Sequence, residues 1–131
     1  MSRLTFLLAA ALLSLGFLSG CQTATEQQLR LTEADHGRTV RIKKGAGLEV
    51  VMPSDAAAGY TWQVADLNPS FMRIDGTPTY TPGETAGAPG KATFRLMSVN
   101  RGQTTLRLVY LQPAEKDRPP EKSYAVMITI Y

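Results

Sequence analysis

From residue 29 onward the chain alternates apolar and polar positions with period two, the pattern of strands that bury one face. Leu29 and Leu31 begin it, Asp35-His36-Gly37 makes a turn, and Val40 and Ile42 alternate with Arg41 and Lys43. After Gly45-Ala46-Gly47, the side chains of Leu48, Val50 and Met52 share a face. Tyr60, Trp62 and Val64 alternate with Thr61, Gln63 and Ala65, and a short strand over Phe71 to Asp75 follows the Asn68-Pro69 turn. Phe94 and Leu96 continue the pattern, and Asn100-Arg101-Gly102 turns the chain into Leu106, Leu108 and Tyr110. Tyr124, Val126, Ile128 and Ile130 share one face of the last strand. About seven or eight short strands, with turn signals roughly 8 to 12 residues apart, predict an all-β, immunoglobulin-like antiparallel β-sandwich. A barrel is the alternative. Strand length and a lone Trp on what reads as a central strand favour the sandwich.

Three segments break the alternation: Pro53 to Gly59, Gly76 to Gly90 and Pro113 to Lys122. Two strands separate the first from the second, and two more separate the second from the third. Each strand in an antiparallel chain reverses the end, so an even number returns it. All three loops are therefore expected at one tip, where such scaffolds carry binding surfaces.

The N-terminal stretch has a different character. Arg3 precedes an apolar run from Leu4 to Leu18 and the small residues Ser19 and Gly20, the order of a secretory signal over residues 1–20. The run approaches the length of a membrane span, which is the competing reading. Leu18-Ser19-Gly20-Cys21 resembles the lipobox of bacterial lipoproteins, and that resemblance implies diacylglycerol on the Cys21 sulfur and a new N-terminus there. Gln22, where inner-membrane sorting would use Asp, implies an outer-membrane destination facing the periplasm. Residues 21–28 are then a lipidated end and a polar, flexible tether, and residues 29–131 the folded domain.

Removal of residues 1–20 leaves a chain of the usual size for one domain. Cys21 is the single Cys, so the domain has neither disulfide nor thiolate chemistry, and apolar burial must hold it together. The net charge of +3 includes Arg3 and is too scattered to suggest nucleic acid. One His, acidic residues spread over turns, and Ser54-Asp55 without a neighbouring base give an enzyme reading little support. No cofactor or metal is expected, and the chain reads as a monomer. His36 reads as a turn residue and Trp62 as core.

The loops themselves resemble the chagasin family, immunoglobulin-like inhibitors of papain-family cysteine peptidases. In that family the first loop reads Asn-Pro-Thr-Thr-Gly-aromatic with Trp two residues on. Here the segment is Asp55-Ala56-Ala57-Ala58-Gly59-Tyr60-Thr61-Trp62. The second loop of the family carries Gly-x-Gly-Gly before a strand with Phe-Arg, matched by Gly87-Ala88-Pro89-Gly90 and Phe94-Arg95. The third, Arg-Pro-Trp-Glu, is matched by Arg118-Pro119-Pro120-Glu121. The resemblance implies that Asp55 to Tyr60, Gly87 to Gly90 and Arg118 to Pro120 contact a papain-like peptidase, with loop one entering its cleft and the others gripping either side. Both loop-one Thr, the Asn-Pro, one loop-two Gly and the loop-three Trp are replaced. A second reading keeps the sandwich as an envelope module that recognises another protein or a polymer.

Overall fold

The computed structural model describes residue 20 and residues 28–131; the signal segment, Cys21 and most of the tether lie outside the described residues. Nine strands follow in order: β1 Leu29–Thr32, β2 Thr39–Ile42, β3 Gly47–Ser54, β4 Thr61–Asp66, β5 Met72–Ile74, β6 Thr79–Thr81, β7 Gly90–Ser98, β8 Gly102–Leu111 and β9 Lys122–Ile130. Short 3-10 turns over Glu33–Asp35 and Ala56–Ala58 are the only helical elements among the described residues.

The strands form two sheets. One has the order β1-β3-β7-β5, with β6 also on β7, and the other has the order β2-β9-β8-β4. Alternation makes each sheet apolar on one side, and the two apolar sides close on each other. Leu48, Val50, Met52 and Phe94 from the first sheet meet Leu106, Leu108, Val126 and Ile128 from the second in one core. Every buried hydrophobic side chain among the described residues falls between Leu31 and Ile130. The core of the described residues therefore lies wholly within the sandwich. At about 1.5–3 kcal/mol per buried Val, Leu, Ile or Phe side chain, this core is the principal stabilising contribution.

The expected sandwich is present, with corrections. Among the described residues there are nine strands where about seven or eight were expected, and two pairs are parallel: β1 with β3 and β2 with β9. The reason is that β2 lies in the other sheet. The chain runs up β1, crosses at Glu33–Asp35, runs down β2 and up β3, so the two strands that share a sheet point the same way. Trp62 sits on β4, an edge strand and not a central one. Its indole is nonetheless buried, because it faces the opposing sheet.

The second irregular segment is also partly strand. β6 pairs with β7 through Thr79–Thr93, Tyr80–Ala92 and Thr81–Lys91, while β5 pairs with the same strand lower down, at Met72–Ser98. β5 and β6 are thus two pieces of one line antiparallel to β7, interrupted but not reversed. The even-number argument survives because this interruption leaves the chain direction unchanged.

Candidate functional site

Register fixes where the loops lie. Ser54 pairs with Gly90 at the end of the first sheet, so loop one (55–60) and loop two (82–89) leave from adjacent positions. In the second sheet Thr61 pairs with Leu111 and Tyr110 with Lys122, so loop one returns beside the start of loop three (112–121), whose other end lies one strand further on at β9. All three segments occupy one end of the sandwich.

Loop one is a single 3-10 turn. Asp55 caps it by accepting from the Ala58 N–H at 3.3 Å, and Gly59 ends it in the left-handed conformation, with φ 80°. That conformation disfavours any residue with a Cβ, which explains the glycine. Ala56, Ala57 and Ala58 are all exposed, so the outermost backbone is covered only by methyl groups.

Aromatic side chains support this turn from below. Tyr60 stacks on Tyr110 at 5.0 Å, and Trp62 packs on the same ring at 4.9 Å. Such pairs contribute about 0.5–1.5 kcal/mol beyond the area they bury. The Asp55 N–H donates to the Tyr110 hydroxyl at 2.7 Å, and the Trp62 indole N–H donates to the Pro53 carbonyl at 2.9 Å. The base of loop one is therefore pinned at both ends. Tyr110 was not among the expected site residues, and nothing in its strand pattern marks it, since its partner Asp55 is distant in sequence.

Loop three is joined to loop one. Gln112 donates through Nε2 to the Ala58 carbonyl at 3.0 Å, and its Oε1 accepts from Arg118 at 3.2 Å. Arg118 also pairs with Glu115 at 3.0 Å. Its guanidinium is thus oriented, but exposed pairs of this kind add little stability. Tyr60, Arg118, Pro119, Pro120 and Glu121 border a cleft of about 520 Å³ between the two loops. The Tyr60 phenol is held above its ordinary value, first by its hydrogen bond to the Glu121 carboxylate and then by desolvation.

Loop two folds back on itself. Gly87 takes φ 82°, and a Cβ on Gly83 would lie 2.4 Å from the Ala88 carbonyl oxygen. Gly87, Ala88 and Pro89 are exposed at the tip. Gly90 differs from the other residues of that motif: it is buried, it opens β7, and a Cβ there would lie 2.5 Å from the Thr81 oxygen and 2.5 Å from the Tyr80 hydroxyl. Its absent side chain lets β6 close on β7, so its place is under the tip and not on its surface.

The structure brings Asp55 to Tyr60, Gly87 to Pro89 and Arg118 to Pro120 to the same end, leaves Gly90 beneath them, and says nothing of Cys21. His36 lies in the crossover, where Nδ1 accepts from the Ala125 N–H at 3.0 Å. Among the described residues no group of three or more His, Cys, Asp or Glu could hold a metal ion.

Comparison with known proteins gives a consistent result. The sequence model of the chagasin family peptidase inhibitors, I42, matches residues 41–128. Amoebiasin-2 of Entamoeba histolytica is 24% identical over 102 residues, which cover 76% of this chain and 83% of that protein. The crystal structure of the cysteine protease inhibitor EhICP2, also from Entamoeba histolytica, superposes with a TM-score of 0.70 at 21% identity, covering 79% of this chain and 95% of the other. PbICP-C, solved in complex with falcipain-2, gives a TM-score of 0.52 at 15% identity, covering 81% and 91%. At these identities the solved structures speak for the fold.

Proposed function

Because this chain belongs to the chagasin family of peptidase inhibitors, we infer that it inhibits papain-like cysteine peptidases by filling their active-site cleft. The observation that carries this reading is the joined tip, in which loops one and three are tied through Gln112 and seated on the Tyr60–Tyr110–Trp62 stack. A pre-ordered surface loses little conformational freedom on binding, which favours inhibition by occlusion. The methyl-covered turn at Ala56–Ala58 lets backbone approach a buried thiol closely, and the mechanism needs no chemistry from the inhibitor. No catalytic role is assigned to any residue.

We further propose that the protein is tethered to an envelope membrane. Leu18-Ser19-Gly20-Cys21 supports lipid on Cys21, and Gln22 supports the outer membrane with the domain in the periplasm. Lipoprotein processing supplies two or three acyl chains, enough for stable anchoring.

The decisive experiment titrates the domain, residues 28–131, against papain and against a serine and a metallopeptidase. Reversible, competitive inhibition of papain alone is expected. Gly59→Glu adds both a Cβ at φ 80° and a charge desolvated in the cleft, and should weaken inhibition at least a hundredfold. Equal inhibition by the variant, with its fold intact, rules out loop one as the contact. No inhibition by either protein at micromolar concentration leaves the sandwich as a module for a different partner, a reading that the replaced loop-one Thr and loop-three Trp would then favour.

A further inference from the structure

The end of the sandwich opposite the tip has its own chemistry. β1 begins there, β2 ends there, and the β2–β3 turn closes it. Arg30, Arg41, Lys43 and Lys44 all border one open concavity of about 750 Å³ with Gln28 and Tyr131. All four cations are exposed, and none forms an ion pair among the described residues. Arg41 lies over the Tyr131 ring at 4.9 Å, and that ring is 53% exposed. Arg101, in the β7–β8 turn, adds a fifth cation at the same end. Asp55, Glu84, Glu115, Asp117 and Glu121 lie in the three tip loops beside Lys116 and Arg118, while towards the basic end Glu49 stands opposite Arg30 and Asp66 ends β4, so cations outnumber carboxylates there.

We propose that this basic end is a docking surface for anionic phospholipid headgroups, which holds the inhibitory tip pointing away from the membrane. The proposal rests on the lipid-anchor reading for its orientation. Gln28, the first residue of the folded part, lies in the wall of the concavity, so the tether enters the domain at the basic end. From Cys21 the chain can extend at most about 25 Å to that point, and a flexible chain of that length averages about 15 Å. Lipid on Cys21 would therefore keep these cations within a few screening lengths of the headgroups. Clustered Lys and Arg beside a membrane anchor each contribute roughly fivefold to partitioning onto an anionic surface. A Tyr at the rim suits the headgroup level, where its ring and hydroxyl are both accommodated. The concavity is open and cationic, suited to phosphate groups presented in a plane.

The test uses residues 28–131, which hold every buried hydrophobic side chain found among the described residues. Cosedimentation is measured with vesicles of phosphatidylcholine alone and with phosphatidylglycerol added, at low and high salt. Binding is expected only with phosphatidylglycerol, and weaker as salt rises. Lys43→Gln with Lys44→Gln should lower the partition coefficient roughly tenfold to thirtyfold while leaving papain inhibition unchanged. Lys91→Gln with Lys116→Gln, an equal change in net charge at the opposite end, should lose less than about threefold. Equal loss in both pairs, equal binding to both vesicle types, or retention on heparin without vesicle binding overturns the proposal. Labelled fatty acid on Cys21 of the full chain is read separately. A domain that binds through this end while the chain takes up no label keeps the surface and removes the anchor.

Discussion

Tyr124 shows how one residue couples packing to pH. Its ring is among the most buried in the core, tilted against His36 at 5.9 Å, and its hydroxyl has no hydrogen-bond partner among the described residues. Burial, with a smaller contribution from Asp35, pushes the phenol up from 10.0 to about 12. The folded state therefore holds its proton more tightly than the unfolded chain. Stability from this group is complete below pH 10 and is lost as pH rises towards 12, by up to about 2 kcal/mol. Tyr124→Phe should remove that part of the alkaline decline. It should also be neutral or stabilising near pH 7, because an unpaired buried hydroxyl is removed while the ring stays. Urea denaturation of both proteins at pH 7 and pH 11 checks this, and a loss above about 1 kcal/mol at pH 7 would show that the hydroxyl has a partner. At this scale the sequence was informative for Trp62 and His36, whose core and turn places follow from alternation and composition. It was silent on Tyr110, because a hydroxyl that receives the Asp55 N–H across the sandwich leaves no local trace.

Elements were legible wherever burial alternates. β3, β7, β8 and β9 each put apolar side chains on one face, and their positions follow directly from the periodicity. β6 was not legible: Thr79, Tyr80 and Thr81 are all exposed and flanked by Pro78 and Pro82, so the backbone pairing to β7 defines the strand without a buried face. Parallel pairing was equally hidden, since alternation says which face is buried but not which sheet a strand joins. The loops were located correctly because strand parity depends only on chain direction. Loop three offers the sharpest test of what its residues do. Pro120 is exposed beside Tyr60, Arg118 and Pro119, where the family pattern carries Trp. A buried interface Trp covers about 150 to 250 Å², and after ordering costs Pro120→Trp should tighten papain inhibition by roughly 1 to 2 kcal/mol. That corresponds to about five- to thirtyfold in the inhibition constant. No gain at equal thermal stability would show that Pro120 stiffens loop three for a different surface.

For the whole molecule, the two proposed tasks fall at opposite ends of the sandwich. Strands of the length of β8 span about 34 Å, which is the distance set between the tip loops and the end where the tether enters. Between them lies a core that uses no disulfide and, among the described residues, is drawn wholly from Leu31 to Ile130, so neither end should depend on the other for its fold. This separation makes the anchor testable independently of inhibition. In a lipoprotein-processing bacterium, the wild-type chain is expected to incorporate labelled fatty acid and to partition with membranes, and Cys21→Ser should abolish both. The detergent-solubilised wild type and the domain of residues 28–131 should nonetheless inhibit papain within about twofold of each other, because lipid and tip are separated by more than a few Debye lengths. A soluble, unlabelled wild-type product would refute lipidation. A large difference in inhibition constant between the lipidated protein and the domain would instead show that the membrane end communicates with the tip, against the independence that the closed core implies.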